Sequence, residues 1–198
     1  RVLITSGPCR ETVDDVRILT TRSSGRMGRE LALEAFRLGA MVTVVHRDTI
    51  PCVNNIPADS SSEMRNAVLD FLKREGGTDI YISAAAISDF APTVIAGKIP
   101  SGRPATLSLE PLPKLITEVV EKFHPFVVAF KIDRSPEEGA RALLVLGASM
   151  VLMNQPETMG SPDGGYTLLD IESSTELRGS KEEIAAAIFR GITGRFPA

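Results

Sequence analysis

Short, continuous runs of apolar residues recur along this chain, and they constrain its fold more than any other feature of the sequence. The first three runs are residues 2–5, 41–46 and 79–83, and each is rich in β-branched side chains. Strands of this character are typically covered on both faces, as in a parallel sheet. Two similar runs, at residues 126–130 and 149–153, continue the series. The sequence therefore predicts a buried, mostly parallel sheet.

The segments between these runs have helical periodicity. A helix that Gly39 would end follows the first run, and residues 64–73 and 115–123 repeat the pattern. A further strand is predicted at residues 166–171, followed by a last helix over residues 180–192. This alternation predicts the α/β class, with a doubly wound, mostly parallel, Rossmann-like sheet and helices on both faces.

The length of the chain indicates how many domains it forms. With 198 residues, of which 43% are hydrophobic, the chain is long enough to bury one substantial core. We therefore expect a single domain over residues 1–198. Because the chain begins with Arg1, directly in a predicted strand and without a methionine, we also expect it to be part of a longer polypeptide.

Charge, hydropathy and cysteine content exclude several classes of protein. The net charge is −3, and Lys and Arg are dispersed, which argues against nucleic acid binding. No apolar run approaches the roughly 20 residues that a bilayer requires, so we expect no membrane association. Cys9 and Cys52 are too few and too isolated for a disulfide framework or a zinc site. These features favour a cytoplasmic protein.

Glycine and serine residues near the N-terminus form the pattern of a split phosphate cradle. Gly7 follows the first strand, and the segment at residues 23–28, Ser-Ser-Gly-Arg-Met-Gly, precedes the first helix. The unpaired backbone N–H groups at the start of a helix bind anions. The structural alternative is a tight turn between strand and helix. Arg22 supports the phosphate interpretation, although a solvated arginine paired with a nearby acid is a serious competitor.

A second candidate group follows the third predicted strand, where ligands bind in open α/β sheets. The three alanines at residues 84–86 let a ring or a ribose approach the backbone. Asp89 would accept hydrogen bonds from a nucleotide or help to hold Mg²⁺, and Phe90 offers a stacking face. The alternative is an alanine-rich strand end with a helix-capping aspartate. Lys98, in an irregular loop, is either a phosphate-neutralising residue or an exposed surface lysine.

Several motifs together resemble one known family. The segments ITSGPCRETVDDVR, TTRSSGRMG, AAAISDF, AGKI, FVVAF and SKEEIA occur in the order and spacing of the phosphopantothenoylcysteine synthetases. The resemblance covers essentially the whole chain. A set of ordered motifs is far more specific than any single glycine turn.

The resemblance implies a reaction of coenzyme A biosynthesis. In that family, CTP activates the carboxylate of 4′-phosphopantothenate as an acyl-cytidylate, with release of pyrophosphate, and the amine of cysteine then displaces CMP. Mg²⁺ is implied as an assisting ion. CTP is favoured over ATP, although the residues do not decide between the two nucleotides. The family is dimeric, so a homodimer is implied, with residues 14–17 near the partner subunit.

The same resemblance implies roles for individual residues. Those implied at the nucleotide are Gly7, Ala85, Ala86, Asp89, Phe90, Ala129 and Phe130. Those implied at the substrate and its phosphate are Arg22, Ser23, Ser24, Gly25, Arg26, Met27 and Asn154. Catalytic roles are implied for Lys98 and Thr21. No residue is implied as a metal ligand.

Departures from the family pattern leave a second interpretation open. Thr21 stands where the family has an asparagine credited with stabilising the acyl-cytidylate and its discharge to cysteine. Residues 100–103, Pro-Ser-Gly-Arg, replace a run of lysines, and Ala129 replaces a glycine. The chain is therefore either a working ligase or a divergent member that binds a nucleotide or an acyl phosphate without full turnover. A nicotinamide-dependent enzyme using Asp48 is a distant third, because the first turn lacks the dinucleotide glycine pattern.

Overall fold

A computed structural model describes residues 1–195, so the last three residues of the predicted domain lie outside the described part. Among the described residues, the strands are β1 (Val2–Thr5), β2 (Arg10–Thr12), β3 (Ile18–Thr20), β4 (Val42–His46), β5 (Asn54–Pro57), β6 (Ile80–Ser83), β7 (Phe90–Pro92), β8 (Leu109–Pro111), β9 (Phe126–Ile132), β10 (Met150–Asn154), β11 (Asp163–Leu169) and β12 (Ser174–Ser180). The helices are α1 (Arg26–Arg37), α2 (Ser61–Glu75), α3 (Leu115–Phe123), α4 (Glu137–Leu146) and α5 (Lys181–Thr193).

The main sheet has eight strands in the order β12, β11, β10, β9, β6, β1, β4, β5. All pairs from β5 to β10 are parallel, whereas β11 and β12 are added antiparallel at one edge. The strand order reverses between β1 and β6, as it does in doubly wound folds. The predicted doubly wound, mostly parallel, Rossmann-like class is therefore confirmed. Such folds bind ligands at the carboxyl ends of the strands beside this reversal.

Helices cover both faces of the sheet, and alternate residues of β1 point to the two layers. Leu3 packs with α2, α3 and α4, where Leu72 and Val119 are fully buried. Ile4 packs on the opposite face with α1 and α5, which contribute Leu31 and Ile188. Both faces of the central strands are thus buried, which explains their continuous apolar sequences.

The chain between β1 and α1 is longer than a simple turn. Strands β2 and β3 form an antiparallel hairpin there, outside the main sheet. Strands β7 and β8 form a second two-stranded unit, which encloses the irregular loop at residues 93–108. Neither hairpin was predicted from the sequence, since their strands are three residues long and mostly not buried. Within residues 1–195, no helix combines the length and apolar character needed to cross a bilayer.

Candidate functional site

Two glycine bends meet at the carboxyl end of β1. Gly7 and Gly25 have φ angles of 86° and 71°, a left-handed conformation that favours glycine. A β-carbon on Gly25 would lie only 3.2 Å from the α-carbon of Gly7. The hydroxyl of Ser6 donates a hydrogen bond to the carbonyl of Gly25 at 3.2 Å, which joins the two bends. The structure therefore brings both halves of the predicted cradle together.

The backbone N–H groups of this cradle have no acceptor within residues 1–195. Helix α1 begins after Gly25 with no side-chain cap and no acidic residue in its first turn. The N–H groups of Arg26, Met27 and Gly28 are consequently unpaired, as is that of the buried Gly7. By contrast, α2 and α5 each have a complete capping box. Unpaired amides at an uncapped helix start favour an anionic ligand.

A cavity of about 120 Å³ opens over these amides, and we call it the cradle cavity. The cavity is lined by most of the residues predicted to bind the substrate and by three of those predicted to bind the nucleotide. These residues are Ser23, Ser24, Gly25, Arg26, Met27, Ala85, Ala86, Phe130 and Asn154. No Asp or Glu is among its described lining residues, whereas Arg26 and Lys181 both line it. The cavity is therefore electropositive.

A second cavity, of about 410 Å³, lies next to the first, and we call it the Asp89 cavity. Ala85 and Phe130 line both cavities and so form their common wall. Asp89 is the only acid among the described lining residues, and Lys114 and Lys131 supply two positive charges. Apolar side chains of α3 and α4 cover much of the remainder. Such a site combines a flat apolar surface with groups that recognise phosphate or sugar.

Gly7 lies in the cradle but is not a lining residue of either cavity, and four further predicted residues also line neither of them. Thr21 is half-buried just before the cradle, and its Oγ1 lies 3.5 Å from the backbone nitrogen of Ser23. Arg22 is exposed, and its side chain makes no hydrogen bond or ion pair with a described residue. Phe90 lies in β7 with 49% of its surface exposed. The functional roles of these residues stay predictions, as does that of Lys98.

Lys98 is exposed on a loop that is tied to the first hairpin. The buried carboxylate of Asp14 accepts a hydrogen bond from the backbone N–H of Ile99 at 2.9 Å. It also accepts from the N–H groups of Val16 and Arg17 at 2.8 and 2.7 Å. These bonds, first among them the one from Ile99, lower the pKa of Asp14 well below its ordinary value. Asp14 thus holds the loop that carries Lys98 against the hairpin of β2 and β3.

Lys181 is a candidate functional residue that the sequence analysis did not single out. Its Nζ donates hydrogen bonds to the hydroxyl of Tyr166 at 3.1 Å and to the carbonyl of Thr158 at 3.2 Å. Thr158 also accepts a bond from the amide of Asn154 at 2.6 Å. In the sequence, Lys181 is simply the first residue after a helix cap. Only the packing of α5 beside α1 places it in the cradle cavity.

Fold and site together define a doubly wound α/β protein with an electropositive cavity, lined by free backbone amides, at the reversal of its strand order. Residues 1–195 match the family described as the DNA/pantothenate metabolism flavoprotein C-terminal domain. The chain belongs to this family. The predicted resemblance to phosphopantothenoylcysteine synthetases is therefore confirmed at the level of the family.

Individual relatives agree with this assignment. The chain is 35% identical, over 97% of its length, to the coenzyme A biosynthesis bifunctional protein CoaBC of Thermococcus kodakarensis. It is 37% identical, over 97% of its length, to the protein of the same name from Vibrio cholerae. These alignments cover 50% and 52% of the relatives, so the chain spans about half of their length. A crystal structure of the C-terminal domain of CoaBC is 28% identical, with a TM-score of 0.80, over 97% of this chain and 93% of that domain.

Proposed function

We propose that this protein joins 4′-phosphopantothenate to cysteine through an acyl-nucleotidylate, with CTP favoured over ATP. The observation that carries the proposal is the pair of adjoining cavities that share Ala85 and Phe130. One cavity is electropositive and presents free amides, and the other combines Asp89 with an apolar surface. A reaction that joins two anionic substrates needs two such sites with a common wall.

The chemistry assigns a different task to each cavity. In the first step, a carboxylate oxygen of phosphopantothenate bonds to the α-phosphorus of CTP, and the bond to the β-phosphate breaks to release pyrophosphate. In the second step, the amine of cysteine bonds to the acyl carbon, loses a proton and displaces CMP. We assign the acyl substrate to the cradle cavity and the nucleotide to the Asp89 cavity. The reacting groups would then meet at the wall formed by Ala85 and Phe130.

Charge repulsion between the two substrates must be offset for the first step to proceed. The uncapped start of α1 places partial positive charge at the cradle. Lys114 and Lys131 line the Asp89 cavity, where the nucleotide phosphates would lie. We keep Lys98 as a further neutralising residue, delivered by its loop. Preorganised positive groups of this kind stabilise the charge that develops during transfer.

A magnesium ion is compatible with this arrangement. No cluster of three or more His, Cys, Asp or Glu side chains suited to a metal occurs among residues 1–195. Mg²⁺ commonly binds through one or two carboxylates together with substrate phosphates and water. Asp89 fits that role, because among the described residues that line this cavity it alone carries a carboxylate. The ion would supply charge neutralisation at the nucleotide phosphates.

We also propose that the protein is a homodimer that uses the hairpin of β2 and β3. Val16 and Ile18 on this hairpin are 66% and 51% exposed, and the nearby Leu107 is 39% exposed. Grouped apolar side chains of this kind are typical of an interaction surface. Sedimentation velocity on Ile18→Asp should show a shift to monomer. Val145→Asp is the matched control, because Val145 is 90% exposed on α4 and should leave the assembly unchanged.

Residues 1–198 are proposed to form one domain that acts in the cytoplasm. Cys9 and Cys52 are both free thiols, which suits a reducing compartment. Cell fractionation followed by immunoblotting tests the location. Recovery with secreted proteins would contradict it.

The decisive experiment is a nucleotide screen with separate readouts for the two steps. CTP, ATP, GTP and UTP are each supplied with phosphopantothenate and cysteine, and both pyrophosphate and nucleoside monophosphate are measured. Pyrophosphate release that needs phosphopantothenate, with CMP release that needs cysteine, is the expected result. Asp89→Asn should slow the first step. Asp48→Asn is its control, because the Asp48 side chain is 75% exposed and lines neither cavity.

A divergent member that binds without complete turnover is the second candidate. Thr21, which has no amide group, favours it. Pyrophosphate release without ligation would indicate a half-reaction enzyme. Calorimetric binding of nucleotide without any turnover would support a binding protein. Absence of both binding and turnover for all four nucleotides would overturn both candidates.

A further inference from the structure

Residues 155–162, which connect β10 to β11, form one wall of the cradle cavity, and we call them the lid. Thr158, Met159 and Gly160 line that cavity, and Thr158 also lines another cavity, of about 280 Å³. Apart from two prolines, the one apolar side chain of the lid is Met159, which is half-buried. Segments with so few buried apolar contacts open locally at low cost in free energy. The lid therefore depends on its hydrogen bonds to stay in place.

Two cations of the cradle cavity hold the lid through its backbone, and we call these two bonds the latches. The guanidinium of Arg26 donates a hydrogen bond to the carbonyl of Gly160 at 3.2 Å. The ammonium of Lys181 donates to the carbonyl of Thr158, also at 3.2 Å. Arg26 belongs to α1 and Lys181 to α5, so both latches reach the lid from helices packed on the sheet.

Both cations retain N–H donors for a further partner. A guanidinium has five N–H groups and an ammonium has three. Lys181 uses two of its three within residues 1–195, on Thr158 and on the hydroxyl of Tyr166 at 3.1 Å. Neither Arg26 nor Lys181 forms an ion pair with a carboxylate of residues 1–195, although Lys181 is only 7% exposed. Since a buried charge is costly without an opposite charge, the latches favour an anion beside them.

The free amides of the cradle fix where that anion would bind. The N–H groups at residues 26–28 have no acceptor within residues 1–195, and the same cavity is lined by both cations of the latches. An anion at these amides can accept the spare N–H groups of Arg26 and Lys181 without displacing the lid carbonyls. Each cation then bridges the anion and the lid.

We propose that the lid closes over an anion bound in the cradle cavity, and that Arg26 and Lys181 couple the two events. An anion that immobilises the two cations stabilises the closed lid, and the closed lid stabilises the bound anion by the same factor. This inference rests on the proposed function only in placing an anionic group of a substrate at the free amides. It is the same for an acyl phosphate group and for a nucleotide phosphate.

Hydrogen exchange followed by mass spectrometry tests the coupling on the complete chain, with pyrophosphate as the probe. Slower exchange of the amides at residues 26–28 reports that the cradle is occupied. At saturating pyrophosphate, exchange of the lid amides should slow about 10-fold in the unmodified protein. At equal occupancy, Arg26→Met or Lys181→Met should reduce this effect to about threefold, and the double variant should abolish it. Arg29→Met is the matched control, because Arg29 is exposed one turn further along α1 and pairs with Glu30.

Because the coupling is reciprocal, a change confined to the lid should weaken anion binding. Gly160 has a φ angle of 76°, which proline cannot adopt. Gly160→Pro should therefore displace the carbonyl that Arg26 holds, and raise the dissociation constant of pyrophosphate about threefold in calorimetry. Gln155→Ala, at an exposed position of the lid, should leave that constant unchanged. Should Lys181→Met fail to fold, Arg26→Met removes an exposed side chain and carries the exchange test alone.

Four results would overturn the inference. Unchanged lid exchange at an occupied cradle would show that lid and anion are independent, and faster exchange would show that the cations leave the lid for the anion. Full slowing in the double variant would assign the latches to other residues. Pyrophosphate that does not protect residues 26–28 would remove the anion from the cradle. Failure of the proposed function is distinguishable, because turnover is measured separately and an inactive protein can still couple pyrophosphate to the lid.

Discussion

Gly28 lies so close to Ser6 that a β-carbon on Gly28 would stand 2.2 Å from the Ser6 hydroxyl oxygen and 2.5 Å from its β-carbon. This contact sets how deeply the start of α1 packs against the end of β1. Any side chain at Gly28 must push the two apart. The position of the free amides of the cradle therefore depends on this glycine.

Gly28→Ala is expected to lower the free energy of unfolding by about 1–3 kcal/mol, as overpacking of a close contact does. Urea denaturation measures the loss. Adding Ser6→Gly should recover part of it, since the two sites are in contact and their effects are not additive. Gly165→Ala is the control, because its β-carbon would meet nothing within 4 Å. Equal losses at Gly28 and Gly165 would contradict the argument.

Thr21→Asn should accelerate the cysteine-dependent release of CMP and leave pyrophosphate release unchanged. The longer amide side chain restores a donor beside the cradle, and removal of one such donor commonly costs about 10²–10³ in rate. Single-turnover measurements with separate readouts for the two products detect the effect. Thr21→Ala serves as the comparison and should show no gain. If both variants behave alike, the side chain at this position does not limit the second step.

If Lys98 neutralises the phosphates as proposed, Lys98→Gln is expected to slow pyrophosphate release by about 10²-fold, because that positive charge is removed. The thermal midpoint should not change, since the side chain is exposed. Lys73→Gln, at an exposed position near the end of α2, is the control. A Lys98→Gln protein with the unmodified rate would exclude Lys98 from the mechanism.

Acidification should reduce the stability that Asp14 gives to the folded protein. The folded-state pKa of Asp14 lies below its ordinary value, which is about 3.9, because backbone N–H groups bond to the ionised carboxylate. This stabilisation is therefore present above that ordinary value and is lost as the pH falls toward the folded-state pKa. Urea midpoints measured between pH 6 and pH 3 should fall less for Asp14→Asn than for the unmodified protein. Asp15→Asn, at an exposed neighbour, should follow the unmodified protein.

The two thiols should differ sharply in reactivity. Cys9 is fully buried, and burial raises its pKa to about 11, whereas Cys52 is exposed. Because the thiolate is the reactive form, Cys9 should resist alkylation at pH 8. Titration with a thiol reagent should count one reactive group per native chain and two after denaturation. The folded Cys52→Ser protein should have no reactive thiol. A fast reaction of this variant in its folded state would show that Cys9 is accessible.

Much of the fold was predictable because its signals are local. The buried strands β1, β4 and β6 have continuous apolar sequences, since both of their faces are covered. The bends at Gly7 and Gly25 were predictable for a similar reason, because a positive φ angle favours glycine at each position. These features depend on neighbouring residues and on the burial of a single element.

The sequence by itself determined the layered α/β class and the glycine cradle, because side-chain periodicity and backbone conformation act over a few residues. Tertiary structure alone decided that the cradle cavity and the Asp89 cavity share Ala85 and Phe130, and that Lys181 enters the first of them. Lys181 lies more than 150 residues from the cradle in the chain, so no local pattern connects the two. Only the packing of α1 and α5 on one face of the sheet brings the buried charge to the free amides.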